Sequence, residues 1–289
     1  MKQTDVIIAG GGMVGLTLAI ALAKGGFQVL VADPLPQAIM TQAAFDGRVS
    51  ALAYAAVRMY RALGIWEHLE PHAQPIAEIL VSDGKPDRAA SPFSLHFDSA
   101  EAGAPALGHI VENRHIRQGL FAAAAAHGNL TLLAPESLAG LDTGPHGVTV
   151  RLAGGESVQA KLAIAADGRE SPMREAMGIG LVTWAYPQTG IVATVEHERH
   201  HNGVAYEHFL PAGPFAILPM TGNRSSLVWT EKNSRAGAML KLPDAEFDAE
   251  IARRFGSHLG KTKAAGPRWS YPLRFHLARA YVKPRFALA

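Results

Sequence analysis

The sequence predicts an α/β fold, a parallel-sheet domain with a mostly antiparallel β domain inserted into it, and three observations carry that prediction. Near the start, an apolar strand runs straight into a glycine-rich turn and a helix. Further on, a second apolar strand again ends in an acid and a glycine, Asp167-Gly168. From Thr189 the apolar period shortens to that of brief strands divided by glycine and proline.

The first observation is the most detailed. Val6-Ile-Ile-Ala9 is the apolar, β-branched type of run that fills a buried parallel strand. Gly10-Gly-Gly-Met-Val-Gly15 follows, then a helix from Leu16 to Ala23 and a second strand from Phe27 to Asp33. Gly10, Gly12 and Gly15 have the spacing G-x-G-x-x-G in its required strand–turn–helix setting. Gly10 permits the tight turn, Gly12 lets backbone amides approach a pyrophosphate, and Gly15 lets the helix pack closely on the strand. The helix N-terminus adds partial positive charge, and Val14 in the same turn joins the candidate cofactor contacts. Asp33, at the end of the second strand, is placed to bind a ribose hydroxyl. The unit is therefore expected to be Rossmann-like and to bind a dinucleotide. Residues 6–23 are nearly unbroken apolar sequence, but Asp5 and four glycines argue against export or membrane insertion.

At 289 residues, 48% hydrophobic and 18% charged, the chain has the composition of a soluble globular protein of one large or two ordinary domains. The absence of cysteine excludes disulfides, thiolate catalysis and cysteine metal sites, and fits a reducing compartment. The net charge of +2 points to no particular partner. After Glu250 there is no Asp or Glu, while bases run from Arg253 to Arg285 among Trp269, Tyr271, Phe275 and Tyr281. Without a nucleic-acid motif this reads as a basic rim meeting an anionic cofactor or a membrane surface, and nucleic acid is not expected.

Phe45-Asp-Gly-Arg48 leads into a helical pattern from Ala51 to Leu63, closed by Gly64. Arg48 is either a cofactor-facing cation or a surface arginine paired with Asp46. Residues 76–82 and 93–97 read as strands, separated by the turn chemistry of Asp83-Gly-Lys-Pro-Asp87, and residues 98–106 mark a boundary. Ile110 to Arg114 leads into a helix over His115–Ala126, with Asn113 and Arg114 at its start, where side chains reach an anion or a ring edge. Val148, Val150 and Leu152 alternate with polar residues, and Gly154-Gly155 turns into Ser157–Ala160. The strand from Leu162 then delivers Asp167-Gly168 to its carboxyl end, where open α/β sheets bind ligands. Ser171-Pro172 reads as a helix cap and first-turn pair.

Residues 189–196, 204–210, 214–218 and 225–231 read as an antiparallel sheet, followed by a helix over Ala245–Phe255 with Phe247, Ile251 and Phe255 on one face. His197, His200 and His201 have no second ligand cluster, so a solvated loop is expected and no metal. No Ser–His–Asp arrangement is legible.

The chain resembles the class A flavin-dependent aromatic hydroxylases, and among them the ubiquinone-biosynthesis branch, the 2-polyprenyl-6-methoxyphenol hydroxylases. The residues that carry this are Gly10–Gly15, Asp46-Gly-Arg48-Val-Ser-Ala-Leu52, Val111-Glu-Asn-Arg114, Ala166-Asp-Gly-Arg-Glu-Ser171, and the run from Ala205 through Gly213-Pro-Phe-Ala-Ile-Leu-Pro219 to Thr230. The resemblance implies a para-hydroxybenzoate hydroxylase-like fold: residues 1–75 and 107–180 as the FAD-binding domain, 76–106 and 181–275 as the substrate domain, and 276–289 returning to the first. FAD is implied at Gly10, Gly12, Val14, Gly15, Asp33, Arg48, Asn113, Arg114, Asp167 and Gly168. NAD(P)H would reduce the flavin, dioxygen would add to it as a C4a-hydroperoxide, and one oxygen would pass to a polyprenylated phenol. The lipid substrate implies work at the cytoplasmic face of the inner membrane, with other ubiquinone-biosynthesis enzymes as partners. Tyr206, Phe209, Pro219 and Trp229 are candidates for the ring pocket, with core packing as the competing explanation.

Two departures from the pattern matter. The acid ending the second strand is often glutamate in these proteins, and here it is Asp33. The family's chain continues past Arg285-Phe-Ala-Leu-Ala289 into a Gly-Asp motif and further helices, so the sequence is expected to be C-terminally truncated and to hold flavin weakly. A soluble-phenol hydroxylase and a catalytically silent nucleotide-binding fragment are the alternatives.

Overall fold

The computed structural model describes residues 2–86, 91 and 93–289; Asp87 of the expected turn lies outside them. Along the chain run β1 (Lys2–Ala9), α1 (Met13–Lys24), β2 (Val29–Ala32), α2 (Gln37–Met40), β3 (Val49–Ala53), α3 (Tyr54–Ala62) and α4 (Trp66–Leu69). Next come β4 (Gln74–Ile76), β5 (Glu78–Asp83), β6 (Ser94–Asp98), β7 (Gly108–Glu112), α5 (Asn113–Ala125), β8 (Leu130–Leu133), β9 (Leu138–Gly144), β10 (Gly147–Leu152), β11 (Ser157–Ala165) and α6 (Pro172–Ala176). The remainder is β12 (Leu181–His197), β13 (Val204–Leu210), β14 (Gly213–Met220), β15 (Arg224–Lys232), α7 (Asn233–Leu240), α8 (Asp244–Phe255), β16 (Thr262–Ala278), β17 (Val282–Lys283) and β18 (Phe286–Leu288).

In the first sheet, β1 lies between β2 and β11, parallel to both, with Ala9 level with Ala32 and with Ala165. β8 adds parallel beyond β2, β18 parallel beyond β11, β10 folds back antiparallel onto β11 and β9 antiparallel onto β10. The alternating segment from Ser157 and the apolar one from Leu162 are thus one strand. Its first half pairs with both β1 and β10. Ile7, Ile8, Leu16, Ala19 and Ile20 are buried on the faces of this sheet, as a parallel sheet covered by helices requires.

The second sheet has the order β16-β12-β15-β14-β13-β5-β6. It is antiparallel except where β13 meets β5, Val204 level with Glu78. α8 lays Phe247, Ile251 and Phe255 on one face of it, against Trp229, Phe215 and Ile191. A third, small sheet, β3-β7-β4, packs through Val49, Ile76 and Ile110 against the opposite face at Ala205, Leu218 and Met220.

Two local expectations change. The helix predicted from Ala51 begins at Tyr54, because residues 49–53 pair antiparallel with β7, Val49 opposite Glu112 and Ala53 opposite Gly108. A Cβ on Gly108 would lie 2.6 Å from the Leu52 carbonyl oxygen, so the tight ladder overrides the helical preference of alanine. The strand predicted over 76–82 is broken at Ala77, and its pieces join different sheets.

Of the three histidines near residue 200, His200 is exposed as expected, but the other two are not solvated. His197 and His201 are buried. The His197 ring lies 2.7 Å from the Arg199 carbonyl oxygen and 3.1 Å from Ser225 Oγ. His201 Nε2 donates to the Met220 carbonyl at 2.7 Å while its Nδ1 accepts from Gly203 N–H at 3.0 Å. Burial lowers the pKa of His201 and His208, and burial together with His208 and His197 pushes His258 down to about 4. Between the ordinary value of 6.5 and about 4, the unfolded chain therefore binds protons that the folded chain refuses. Stability is full above that window and is lost as pH falls through it. The melting temperature followed by circular dichroism is expected to drop steadily across this range, and His258→Phe to drop less.

Candidate functional site

Three parallel strands end side by side, and the chain leaves each with a residue suited to a nucleotide: Gly10 after β1, Asp33 after β2 and Asp167 after β11. Gly10 has φ +99°, and a Cβ there would lie 2.3 Å from the Ala166 carbonyl oxygen. Only glycine meets both conditions. Gly15 sits where the first turn of α1 crosses the strand end, its missing Cβ 1.9 Å from the Gly10 carbonyl oxygen. Gly12 caps α1 and would meet nothing within 4 Å. The first turn of α1 has no side-chain cap and no acid, so its amides are free for an anion. Val14, 57% exposed, stands on that turn.

Asp33 is buried, and both its oxygens hold the turn: Oδ2 accepts from Gly11 N–H at 2.7 Å and Oδ1 from Leu35 N–H at 2.8 Å. The shorter acid thus organises the glycine loop, and a ribose hydroxyl would meet its remaining lone pairs. Asp167 Oδ2 accepts from Met173 N–H at 3.2 Å, whereas Oδ1 is buried with no partner. Gly168 beside it has φ +90° and open space where a Cβ would stand. Ser171 caps α6 by accepting from Arg174 N–H at 2.9 Å, which fixes the Asp167 turn. A cavity of about 470 Å³ joins Gly10, Gly12, Asp33, Leu35, Asp167 and Met173. A cradle of free amides, a gap at Gly12 and an orphaned carboxylate oxygen fit a dinucleotide.

The other expected cofactor contacts lie at the junction with the second sheet. Arg48 pairs with Asp46, Nη2 to Oδ2 at 2.7 Å, and Arg117 approaches the same oxygen at 3.2 Å. Burial opposes ionisation of Asp46, but the bonds from Arg48 and the charge of Arg117 outweigh it and lower its pKa. Asn113 is buried and accepts from Ser50 Oγ–H at 2.7 Å. Arg114 donates to Glu112 and to the Ala43 carbonyl, each at 2.7 Å, and lies over Phe45. These side chains lock residues 43–48 onto α5. Glu112 also takes a bond from Arg224 at 3.1 Å, tying that layer to β15. Across the gap, the Trp269 ring fills the space a Cβ on Gly47 would need, 2.2 Å away.

The four ring-pocket candidates separate by face, because side chains alternate along a strand. Tyr206 is level with Ile217, and Trp229 with Phe215 and Ile191, all in the core under α8. Pro219, two residues beyond Ile217, shares that face. Trp229 is 2% exposed, with Phe215, Phe247 and Arg254 about it. Tyr206 faces a separate cavity of about 940 Å³ beside His208, His258 and Lys261. Only Phe209, 51% exposed, looks toward the open face that carries the β3 layer. The same alternation puts Glu207 on that face, a residue not singled out from the sequence although the strand period places it there.

Several of the late basic residues are held by partners within the chain. Arg253 and Arg254 pair with Glu250, Arg268 with Asp244, and Arg285 donates to the Pro145 carbonyl.

A family model described as "FAD binding domain" matches residues 3–288. The ubiquinone hydroxylase UbiL of Rhodospirillum rubrum is 49% identical over 287 residues, covering 99% of this chain and 66% of that protein. The 3-demethoxyubiquinol 3-hydroxylase of Escherichia coli is 36% identical, with coverage of 99% and 72%. The chain thus spans about two thirds of the length of these relatives. Among solved structures, p-nitrophenol 4-monooxygenase PnpA from Pseudomonas putida DLL-E4 superimposes with a TM-score of 0.76 at 16% identity, covering 100% of this chain and 73% of that one. Aklavinone-11 hydroxylase, solved with FAD and aklavinone, gives 0.73 at 19% identity, covering 100% and 57%. Likeness at such identities shows the fold.

Proposed function

We propose, from the premise that this chain belongs to the FAD-binding-domain family and within it to the class A hydroxylases of ubiquinone biosynthesis, that it hydroxylates a polyprenylated phenol with FAD, NAD(P)H and dioxygen. The observation that carries the reading is the strand-end cleft, with free α1 amides, the gap at Gly12 and the orphaned Asp167 Oδ1.

Each residue has a stated task. Gly10 and Gly15 let α1 close on β1 so that its N-terminal amides meet the pyrophosphate. Asp33 holds the turn, and Asp167 Oδ1 would accept a hydroxyl of the bound cofactor. The Asp46–Arg48 pair and Trp269 close one side of the junction against water, while the open sheet face receives the phenol. When bound, the flavin supplies the activation of dioxygen. Among the described residues no helix is long and apolar enough to cross a membrane. The lipid substrate places the protein peripherally at the cytoplasmic face of the inner membrane.

The test is the visible spectrum of the protein after mixing with FAD and desalting, followed by NAD(P)H oxidation with phenols of increasing prenyl length. Retained flavin bands, and a product heavier by one oxygen that forms best with the longer tails, are expected. Flavin retention without oxidation of any phenol would end the hydroxylase reading and leave the nucleotide site standing.

A further inference from the structure

The open face of the second sheet carries a lone carboxylate in an apolar row. By register, Trp269, Val192, Val228, Ala216 and Glu207 stand opposite one another on β16, β12, β15, β14 and β13. Residues level with one another across a sheet share a face. At one end of the row Trp269 lies against Gly47 of the cofactor-side loop. Past Glu207 the row continues to Val81 and Leu95 on β5 and β6, and along its own strand Glu207 stands between Ala205, which the β3 layer covers, and Phe209, which is exposed. Glu207 is therefore at the border where the covered part of this face opens.

Glu207 forms no hydrogen bond or ion pair with any described residue. Tyr206 and His208 on its own strand turn to the α8 face, and Glu78 on β5 pairs with His96. Asp83 of β5 is level with Phe209, one step along. β14 presents Pro214, Ala216, Leu218 and Met220 on this side, none of them charged. From the facing layer come Asp46, closed on Arg48 and Arg117, and Glu112, closed on Arg114 and Arg224. Burial raises the Glu207 pKa, and no neighbouring charge offsets it.

We propose that Glu207 binds the substrate's phenol group, its carboxylate accepting the O–H while the ring rests on the apolar face beside Phe209 and Val228. An apolar shelf with one ionised acceptor suits a ligand with a large apolar body and one donor. The bond also draws the phenol proton away from the ring, which raises electron density at the carbons ortho and para to the oxygen. This assignment rests on the hydroxylase reading above.

The test is equilibrium binding of 2-prenylphenol and its methyl ether to the FAD-loaded protein, by titration calorimetry, for wild type, Glu207→Gln and Glu207→Asp. As the pH falls through the raised Glu207 titration, wild-type affinity for the phenol is expected to fall about tenfold as Glu207 takes up a proton and the charged hydrogen bond is lost. The ether, with no O–H to donate, binds weakly and without this dependence. Glu207→Gln flattens the phenol profile, and Glu207→Asp keeps the profile at lower affinity. The proposal is overturned if Glu207→Gln leaves the profile unchanged or if the ether matches the phenol. Phenol binding with an unchanged Gln profile removes Glu207 alone and leaves the hydroxylase reading standing. No phenol binding by any form removes the hydroxylase reading with it.

Discussion

Gly15→Ala is expected to give a protein that melts several degrees lower and emerges colourless from desalting after mixing with FAD. In an ordinary helix this change would stabilise by about 1 kcal/mol, because alanine loses less backbone freedom than glycine. Here the new methyl would sit 1.9 Å from the Gly10 carbonyl oxygen and 3.4 Å from Ala166 Cβ. The first obstacle is backbone, so α1 must move away from β1, at a cost of about 1–3 kcal/mol for such overpacking. The displaced helix also takes its N-terminal amides away from the pyrophosphate. Gly12→Ala supplies the contrast: φ is −72° and nothing lies within 4 Å. That variant is expected to melt like wild type and still lose flavin, because its methyl enters the space the cofactor needs. Equal melting of the two variants would contradict the close crossing at Gly15.

Trp229→Ala is expected to cost about 3–5 kcal/mol of unfolding free energy in a urea titration, the range for deleting a buried tryptophan. The ring packs on Phe215 and Phe247 with centroids 6.2 and 6.0 Å away, and the Arg254 guanidinium lies over it at 4.2 Å. Truncation opens a cavity between sheet and α8 and removes the cation–π contact of a buried arginine. Arg254 keeps its bonds to Glu250, which limits the loss. A tryptophan lining a ligand pocket would behave otherwise: stability would change by less than about 1 kcal/mol and ligand affinity would fall. The comparison decides which face of the sheet Trp229 serves.

Much of the nucleotide half was legible because its signals are local. Gly10, Gly12 and Gly15 encode a turn in which each glycine answers a separate steric demand, and Ser171-Pro172 encodes a helix start within four residues. Asp33 and Asp167 follow apolar strands immediately, so their placement needed only the strand ends. Where partners are distant in sequence the reading weakened. Residues 51–53 look helical until β7, more than fifty positions away, claims them for a ladder. Tyr206 and Phe209 look like neighbours in one aromatic run, yet three steps along a strand put them on opposite faces. His197 and His201 look solvated until Ser225 and the Met220 carbonyl are brought beside them.

The sequence by itself determined the glycine loop, the acids at the strand ends and the change to a second sheet, because spacing and period act over a few residues and need no partner. Only the tertiary structure decided that both Asp33 oxygens serve the loop while one Asp167 oxygen is buried without a described partner. It also decided that Arg48 and Arg114 spend their charge on Asp46 and Glu112, and that Glu207, among the acids near the junction, stands without a described partner. Those outcomes depend on which groups meet across the packed layers, and a carboxylate's role follows from whether its lone pairs are already taken.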